Sequence, residues 1–182
     1  MKSIIKYFVL PIIGSIVFFL LLALAVLFLL EIPSEPVFGA KQAKAIYTEQ
    51  KAAFETVRQF IDGFDLTPYE AEGKDTYILI ERVESENTEK AYSLSVRNGE
   101  VKPIETNDGT VINALEILFN QEKIEFVVQH TTANDHCVYF GIEENKGVVY
   151  SESGNEPQDT PAKVPYYFKK IDSNWFYWFD DN

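Results

Sequence analysis

The stretch that decides the fold is IEFVVQHTTANDHCVYFGIEENKGVVYS, residues 124–151. It contains three runs rich in β-branched and aromatic residues, and short polar segments at 132–135 and 143–146 separate them. Runs of this length and composition are typical of β-strands, and such short polar connections favour antiparallel hairpins. The stretch therefore predicts three consecutive antiparallel strands, at Ile124–Thr131, His136–Ile142 and Val148–Ser151.

Further strands are predicted on both sides of this stretch. Downstream of a loop at 152–163, Val164–Ile171 and Trp175–Asp180 form a last hairpin around Asp172-Ser173-Asn174. Upstream, the same composition predicts strands at Thr76–Val83, Ala91–Val96 and Val101–Ile104. Asn98-Gly99 lies between the last two of these, and because both residues accept positive φ it predicts a two-residue turn.

Two segments have helical periodicity. Residues 40–62 carry an apolar stripe at helical spacing, and Gly63 is a suitable end for that helix. The stripe consists of Ala43, Ile46, Tyr47, Phe54, Val57, Phe60 and Ile61. A shorter helix opens at 107–110, where Asp108 or Thr110 can cap it.

This order of elements predicts an α+β fold, in which a long helix and a short second helix pack on a curved, mostly antiparallel sheet. In element order alone it resembles the NTF2-like, cone-shaped fold. Two smaller α+β halves packed together are the alternative, and no internal sequence repeat supports them.

The N-terminus has the pattern of a membrane anchor. Tyr7–Leu30 contains 24 residues without a charge, and a helix of that length reaches about 36 Å, enough to cross a bilayer core. The run is longer than the apolar part of a signal peptide, and no good cleavage site follows it. Lys2 and Lys6 precede the run and favour a cytoplasmic N-terminus.

The predicted organisation is a cytoplasmic tail at 1–6, a transmembrane signal anchor at 7–30, a linker at 31–39 and an extracytoplasmic α+β domain at 40–182. The protein is thus expected in the cell membrane as a single-pass protein with its C-terminal domain outside the cytoplasm. This layout resembles that of small membrane-anchored proteins of Gram-positive bacteria.

The charge excludes some classes of function. The 182 residues include 16 Lys and Arg against 28 Asp and Glu, a net charge of −12. Residues 1–36 carry two of each sign, so the whole excess belongs to the predicted domain, which is acidic. Nucleic-acid binding by phosphate neutralisation is therefore disfavoured. Cys137 is the single cysteine, which excludes an intramolecular disulfide framework.

His130, His136 and Cys137 form the most suggestive group of reactive residues. The predicted hairpin pairs Thr131 with His136 and His130 with Cys137, but His136 then points to the opposite face from its neighbour Cys137. The group lacks a fourth ligand for zinc, and the acidic residues around Cys137 oppose a reactive thiolate. We therefore expect no catalytic residues, no metal site and no cofactor.

Surplus aromatics near the C-terminus are the best candidates for binding residues, namely Tyr167, Trp175, Tyr177 and Trp178. Alternation along Trp175–Phe179 places large rings on both faces of one strand, and both faces can be core. The predicted function is a non-catalytic envelope module that binds a protein or peptide, and the acidic surface favours a basic partner. The alternatives are an NTF2-like ligand-binding or enzymatic domain with an internal pocket, and a structural subunit of a membrane complex.

Overall fold

The computed structural model describes residues 34–83, 91–132, 135–158 and 166–180, with side chains from residue 39 onward. The chain divides into two units, Met1–Val37 and Phe38–Asn182, and the described residues belong to the second unit apart from residues 34–37. The predicted anchor at 7–30 lies outside the described residues. Within those residues, no helix combines the length and the apolar character that crossing a membrane requires.

The described chain contains three α-helices and two short helical turns. The helices are α1 (Ser34–Glu49), α2 (Lys51–Asp62) and α3 (Gly109–Glu116). A 3₁₀ turn lies at Thr67–Tyr69, and a π-helical turn at Ile117–Gln121 extends α3.

The long helix predicted at 40–62 is two helices that meet at Gln50, and the first begins at Ser34, inside the predicted linker. Pro36 falls in the first turn of α1, where backbone N–H groups have no partner within the helix, so its missing N–H costs little. The rest of the prediction for these helices is confirmed. Gly63 follows the last residue of α2, and the Asp108 side chain caps α3 by accepting from the N–H of Thr110 at 2.8 Å.

Within the described residues, eight strands form one curved antiparallel sheet, which confirms the α+β class. The strands are β1 (Tyr77–Arg82), β2 (Tyr92–Arg97), β3 (Val101–Pro103), β4 (Phe126–Thr131), β5 (His136–Glu143), β6 (Lys146–Ser151), β7 (Tyr166–Lys170) and β8 (Trp175–Asp180). Their order in the sheet is β3-β2-β1-β4-β5-β6-β8-β7. The last two strands are thus exchanged, so that β8 pairs with β6 and β7 lies at the edge.

The turn at Asn98-Gly99 differs from the prediction. Arg97 pairs with Val101, so three residues rather than two connect β2 and β3, and only Gly99 has positive φ. The Asn98 side chain is buried, donates from Nδ2 to the carbonyl O of Tyr69 at 2.6 Å and accepts from the N–H of Glu100 at 3.2 Å. These bonds hold Asn98 at negative φ, so the shorter turn does not form.

The sheet carries an apolar cluster on each face. On one face the helices pack against alternate strand residues and form the larger of the two clusters with them. This cluster contains the predicted apolar stripe of α1 and α2. On the other face a smaller cluster is centred on Cys137, Tyr139, Val149, Phe176 and Trp178. We call these two surfaces the helix face and the aromatic face. Both are buried at the centre of the sheet, so β5 and β8 are apolar along nearly their whole length.

A pair of glycines allows aromatic rings to lie directly on the backbone of the aromatic face. Gly141 of β5 pairs with Gly147 of β6. A Cβ atom at Gly141 would overlap the ring of Phe126, and one at Gly147 would overlap the carbonyl O of Phe140 and approach Nε1 of Trp178. The absence of side chains at this pair is therefore a packing requirement of the sheet.

We predict that Gly147→Ala lowers the free energy of unfolding by about 2 kcal/mol or more, because the new methyl group overlaps backbone that cannot move aside easily. Urea denaturation of the full chain, followed by circular dichroism, measures this. Gly109→Ala is the matched control, since no heavy atom lies within 4 Å of its added Cβ. Equal stability of the two variants would contradict the requirement for glycine at 147.

Candidate functional site

The structure separates the four predicted binding aromatics. Trp175, Tyr177 and Trp178 are buried, each no more than 2% exposed, whereas Tyr167 is 45% exposed. Tyr167 and Val101 are the large apolar or aromatic residues exposed to this degree in the described chain. A binding role for the four residues stays a prediction, and Tyr167 is the one that a partner can reach without rearrangement of the core.

Trp175 belongs to the helix face and joins helix to sheet. Its ring centroid lies 5.0 Å from that of Tyr47 and 5.7 Å from that of Phe140. Its indole Nε1 donates to Oε1 of Glu55 on α2 at 3.0 Å. Because both the ring and its N–H are engaged inside the fold, Trp175 is placed for packing.

Trp178 belongs to the aromatic face. Its ring stacks on Tyr166 at a centroid distance of 5.1 Å and an interplanar angle of 22°, and it meets Tyr139 edge-on at 5.9 Å. The indole Nε1 is buried and has no hydrogen-bond partner among the described residues. Trp178 thus contributes packing area, and its N–H lies against the glycine backbone of β6.

The strand that carries Tyr167 is the edge of the sheet. The N–H of Ile171 donates to the carbonyl O of Trp175 at 2.8 Å. Since hydrogen-bonded pairs alternate along an antiparallel ladder, the backbone N–H and C=O of Phe168 and Lys170 point away from β8. An edge of this kind can accept another strand.

The predicted pairing of the histidine and cysteine residues is confirmed. Thr131 pairs with His136, and His130 pairs with Cys137. Cys137 belongs to the aromatic face, and the ring of His130 lies 6.5 Å from that of Tyr139 on the same face. The His136 side chain instead contacts Asp62 of α2. The three residues are therefore divided between the two faces. No group of three or more His, Cys, Asp or Glu side chains in the described ranges is arranged to hold a metal ion.

Cys137 is held as a thiol. Burial raises its pKa well above the usual range, and the nearby charge of Asp135 raises it further. Its Sγ donates to Oδ2 of Asp135 at 3.5 Å, a contact that also favours the protonated form. Nucleophilic chemistry requires the thiolate, so this environment disfavours catalysis by Cys137.

We predict that iodoacetamide alkylates native Cys137 at pH 8 at least 100-fold more slowly than the same residue in urea, because the thiol is buried and its pKa is raised. Intact-mass spectrometry over time measures both rates. Comparable alkylation rates in the native and the urea-unfolded protein would contradict the conclusion that native Cys137 is an unreactive thiol.

Asp135 organises the turn between β4 and β5. Its Oδ2 accepts from the hydroxyls of Ser151 at 2.8 Å and Ser153 at 3.1 Å, and its Oδ1 accepts from the N–H groups of Ser153 at 3.1 Å and His136 at 2.9 Å. Burial alone would raise the pKa of this carboxyl, but the hydrogen bonds from Ser151, Ser153 and Cys137 together lower it. Asp135 thus fixes the loop after β6 to the start of β5.

We predict that Asp135→Asn lowers the free energy of unfolding at pH 7 by about 2 kcal/mol, since several bonds to a charged acceptor are weakened. The folded-state pKa of Asp135 is depressed, so its contribution is present above the unfolded pKa of about 3.9 and is lost as pH falls through the lower folded value. Urea denaturation at pH 7 and pH 3 should therefore show a smaller difference in the free energy of unfolding between wild type and variant at pH 3.

Glu144→Gln, at an exposed position in the β5–β6 turn, is the control and should leave the free energy of unfolding at pH 7 within about 0.5 kcal/mol of the wild-type value. A gap of equal size at both pH values would contradict this role.

A second polar network, which the sequence analysis does not predict, joins α2 to the start of β5. Nε2 of His136 lies 2.8 Å from Oδ1 of Asp62, and Nδ1 of His136 lies 2.9 Å from Oγ1 of Thr131. Arg58 pairs with both Asp62 and Glu55 and lies over the ring of Tyr150 at 4.7 Å. The spacing Glu55-Arg58-Asp62 predicts ion pairs along one helix, but no local signal points to the contact with His136.

A hydroxyl, an imidazole and a carboxylate in this order also form the catalytic group of some hydrolases. The hydrogen bond to Asp62 raises the pKa of His136, and although burial opposes this, the charges of Asp62, Glu152 and Asp135 add to it. In the hydrolase arrangement Nε2 contacts the hydroxyl and Nδ1 the carboxylate. Here Nδ1 contacts Thr131 and Nε2 contacts Asp62. The arrangement therefore suits a structural charge pair better than a general base.

Comparison with protein-family models, with curated proteins and with solved structures finds no match to this chain.

Proposed function

We propose that the protein is a membrane-anchored module of the cell envelope that binds an extended, cationic segment of another protein along strand β7. The observation that carries this proposal is the position of Tyr167, a large aromatic side chain that is 45% exposed on the edge strand of the sheet. Aromatic residues at the surface are favoured as anchors of protein interfaces.

The packing of the helix face supports a binding module rather than a domain with an internal pocket. Phe54 of α2 contacts Phe140 at a centroid distance of 4.9 Å and Trp175 at 5.9 Å, and Tyr47 of α1 contacts Trp175 as well. These rings occupy the space between helices and sheet in which an NTF2-like domain would hold a ligand. The resemblance of this domain to the NTF2-like fold rests on the order of its helices and strands alone.

The edge of β7 supports recognition by strand addition. Phe168 and Lys170 present backbone groups away from β8, and Tyr167 directly precedes the first of them. In such recognition, main-chain hydrogen bonds supply affinity and alternate side chains supply specificity. Lys169 and Lys170 are both exposed on β7, which discourages pairing with a second copy of the same strand. The attraction for a cationic segment therefore comes from the net negative charge of the chain and not from β7 itself.

Charge supports a cationic partner. The chain carries a net charge of −12, which attracts positively charged segments over distances comparable to the Debye length and raises their association rate. The location outside the cytoplasm and the single-pass anchor are part of this proposal, and they rest on the uncharged run at 7–30.

We predict that the full-length protein in nanodiscs of neutral lipid binds a fluorescein-labelled peptide of alternating Lys and Val, and binds an alternating Glu and Val peptide at least 10-fold more weakly. Tyr167→Ala should raise the Kd for the Lys-Val peptide about 10-fold, the effect expected for loss of an aromatic anchor. Fluorescence anisotropy at low salt measures both values.

Val101→Ala is the matched control, because Val101 is 56% exposed on β3 at the other edge of the sheet and should leave the Kd unchanged. A photo-crosslinker at 167, compared with one at 101 in native membranes, then tests the natural partner, whose crosslinked peptide should be basic and extended. Equal binding by wild type and Tyr167→Ala would overturn the assignment to β7.

A further inference from the structure

His136 joins three elements of the fold through one side chain. It is the first residue of β5, its Nε2 contacts the last residue of α2, Asp62, at 2.8 Å, and its Nδ1 contacts Thr131, the last residue of β4, at 2.9 Å. The His136 side chain is 17% exposed and the Asp62 side chain 29% exposed. The ring is thus largely enclosed, with both nitrogens engaged.

The charged groups around His136 come from every element beside it. Asp62 and, through it, Arg58 come from α2, Asp135 precedes His136 in the turn, and Glu152 follows β6. Tyr150 of β6 completes the group, since its ring lies against Arg58. Three carboxylates therefore act on the imidazole, and the one cation of this group, Arg58, is paired with Asp62 and Glu55.

We infer that His136 is a pH-sensitive clasp that holds the C-terminal end of α2 on the β4–β5 hairpin, tight when the imidazole is protonated and loose when it is neutral. The imidazolium donates from both nitrogens, from Nε2–H to the Asp62 carboxylate and from Nδ1–H to the Thr131 hydroxyl oxygen. The neutral ring has one N–H, so the ion pair with Asp62 is replaced by a weaker bond to an uncharged donor.

Arg58 limits the free-energy cost of deprotonating His136. When His136 loses its proton, Asp62 keeps its ion pair with Arg58 on the same helix. The carboxylate is therefore not left as an unpaired charge, which would cost much more than loss of a single ion pair. We expect the clasp to loosen locally, with the core of the domain intact.

The direction of the pH effect follows from the pKa of His136, which is raised in the folded protein. The stabilisation is then fully present below the unfolded value, about 6.5, and is lost as pH rises through the higher folded value. The clasp is thus tight in mildly acidic conditions and loosens in the neutral to mildly alkaline range.

The experiment follows the full-length protein by NMR in detergent micelles between pH 5.5 and 9. We expect the Cε1–H resonance of His136 to titrate with a pKa above 6.5, and Asp62→Asn to lower that pKa. Between pH 6 and pH 8.5, amide protection factors at 59–63 and 135–137, corrected for the intrinsic exchange rate, should fall at least threefold.

His136→Gln should abolish this fall, whereas His130→Gln should retain it, because His130 lies on the opposite face of the sheet. A His136 pKa at or below 6.5, or an unchanged pH dependence in His136→Gln, would overturn the proposal. If His136→Gln does not fold, the wild-type titration and its shift in Asp62→Asn decide the question.

Discussion

The contact of Phe54 with the centre of the sheet is the interaction on which the rest of the structure depends. Phe54 is fully buried and touches Phe140 of β5 and Trp175 of β8, two strands that are separated by β6. A helix as short as α2 has little stability of its own and forms because such an apolar stripe is covered. Glu55, Arg58 and Asp62 follow on the same helix, so their contacts with the sheet depend on this packing.

The second constraint is that both faces of the central sheet are covered with rings. If only the helix face of the sheet were covered, β5 and β8 would need aromatic residues only at alternate positions. The other positions, however, hold Tyr139, Phe176 and Trp178, which are buried as well. The pair of Gly141 and Gly147 makes this possible, since rings replace the missing side chains. In the part of the chain that the structure describes, the aromatic residues are thus used largely for packing.

Local patterns predicted the features that depend on neighbours in the chain. The pairing of His130 with Cys137, the cap at Asp108 and the bounds of β8 depend on alternation, turn length and capping chemistry, which a single sequence contains. Contacts between distant segments were not predictable in this way. The buried amide of Asn98 and the bond of His136 to Asp62 join residues far apart in sequence. The exposure of Tyr167 has the same origin, because it depends on the exchange of β7 and β8 in the sheet order.

The two proposed functional features lie at opposite ends of the strands. The register pairs Cys137 with Ser151 at one end of β6, so His136 lies at that end, whereas Lys146 at the other end pairs with Phe179, which in turn pairs with Tyr167. Five residue steps along β6 separate these ends by about 17 Å. In the sheet order β6 and β8 also lie between β5, which carries the clasp, and the edge strand β7. Substitutions at His136 and at Tyr167 are therefore expected to act independently, and additivity of their effects on stability measures this.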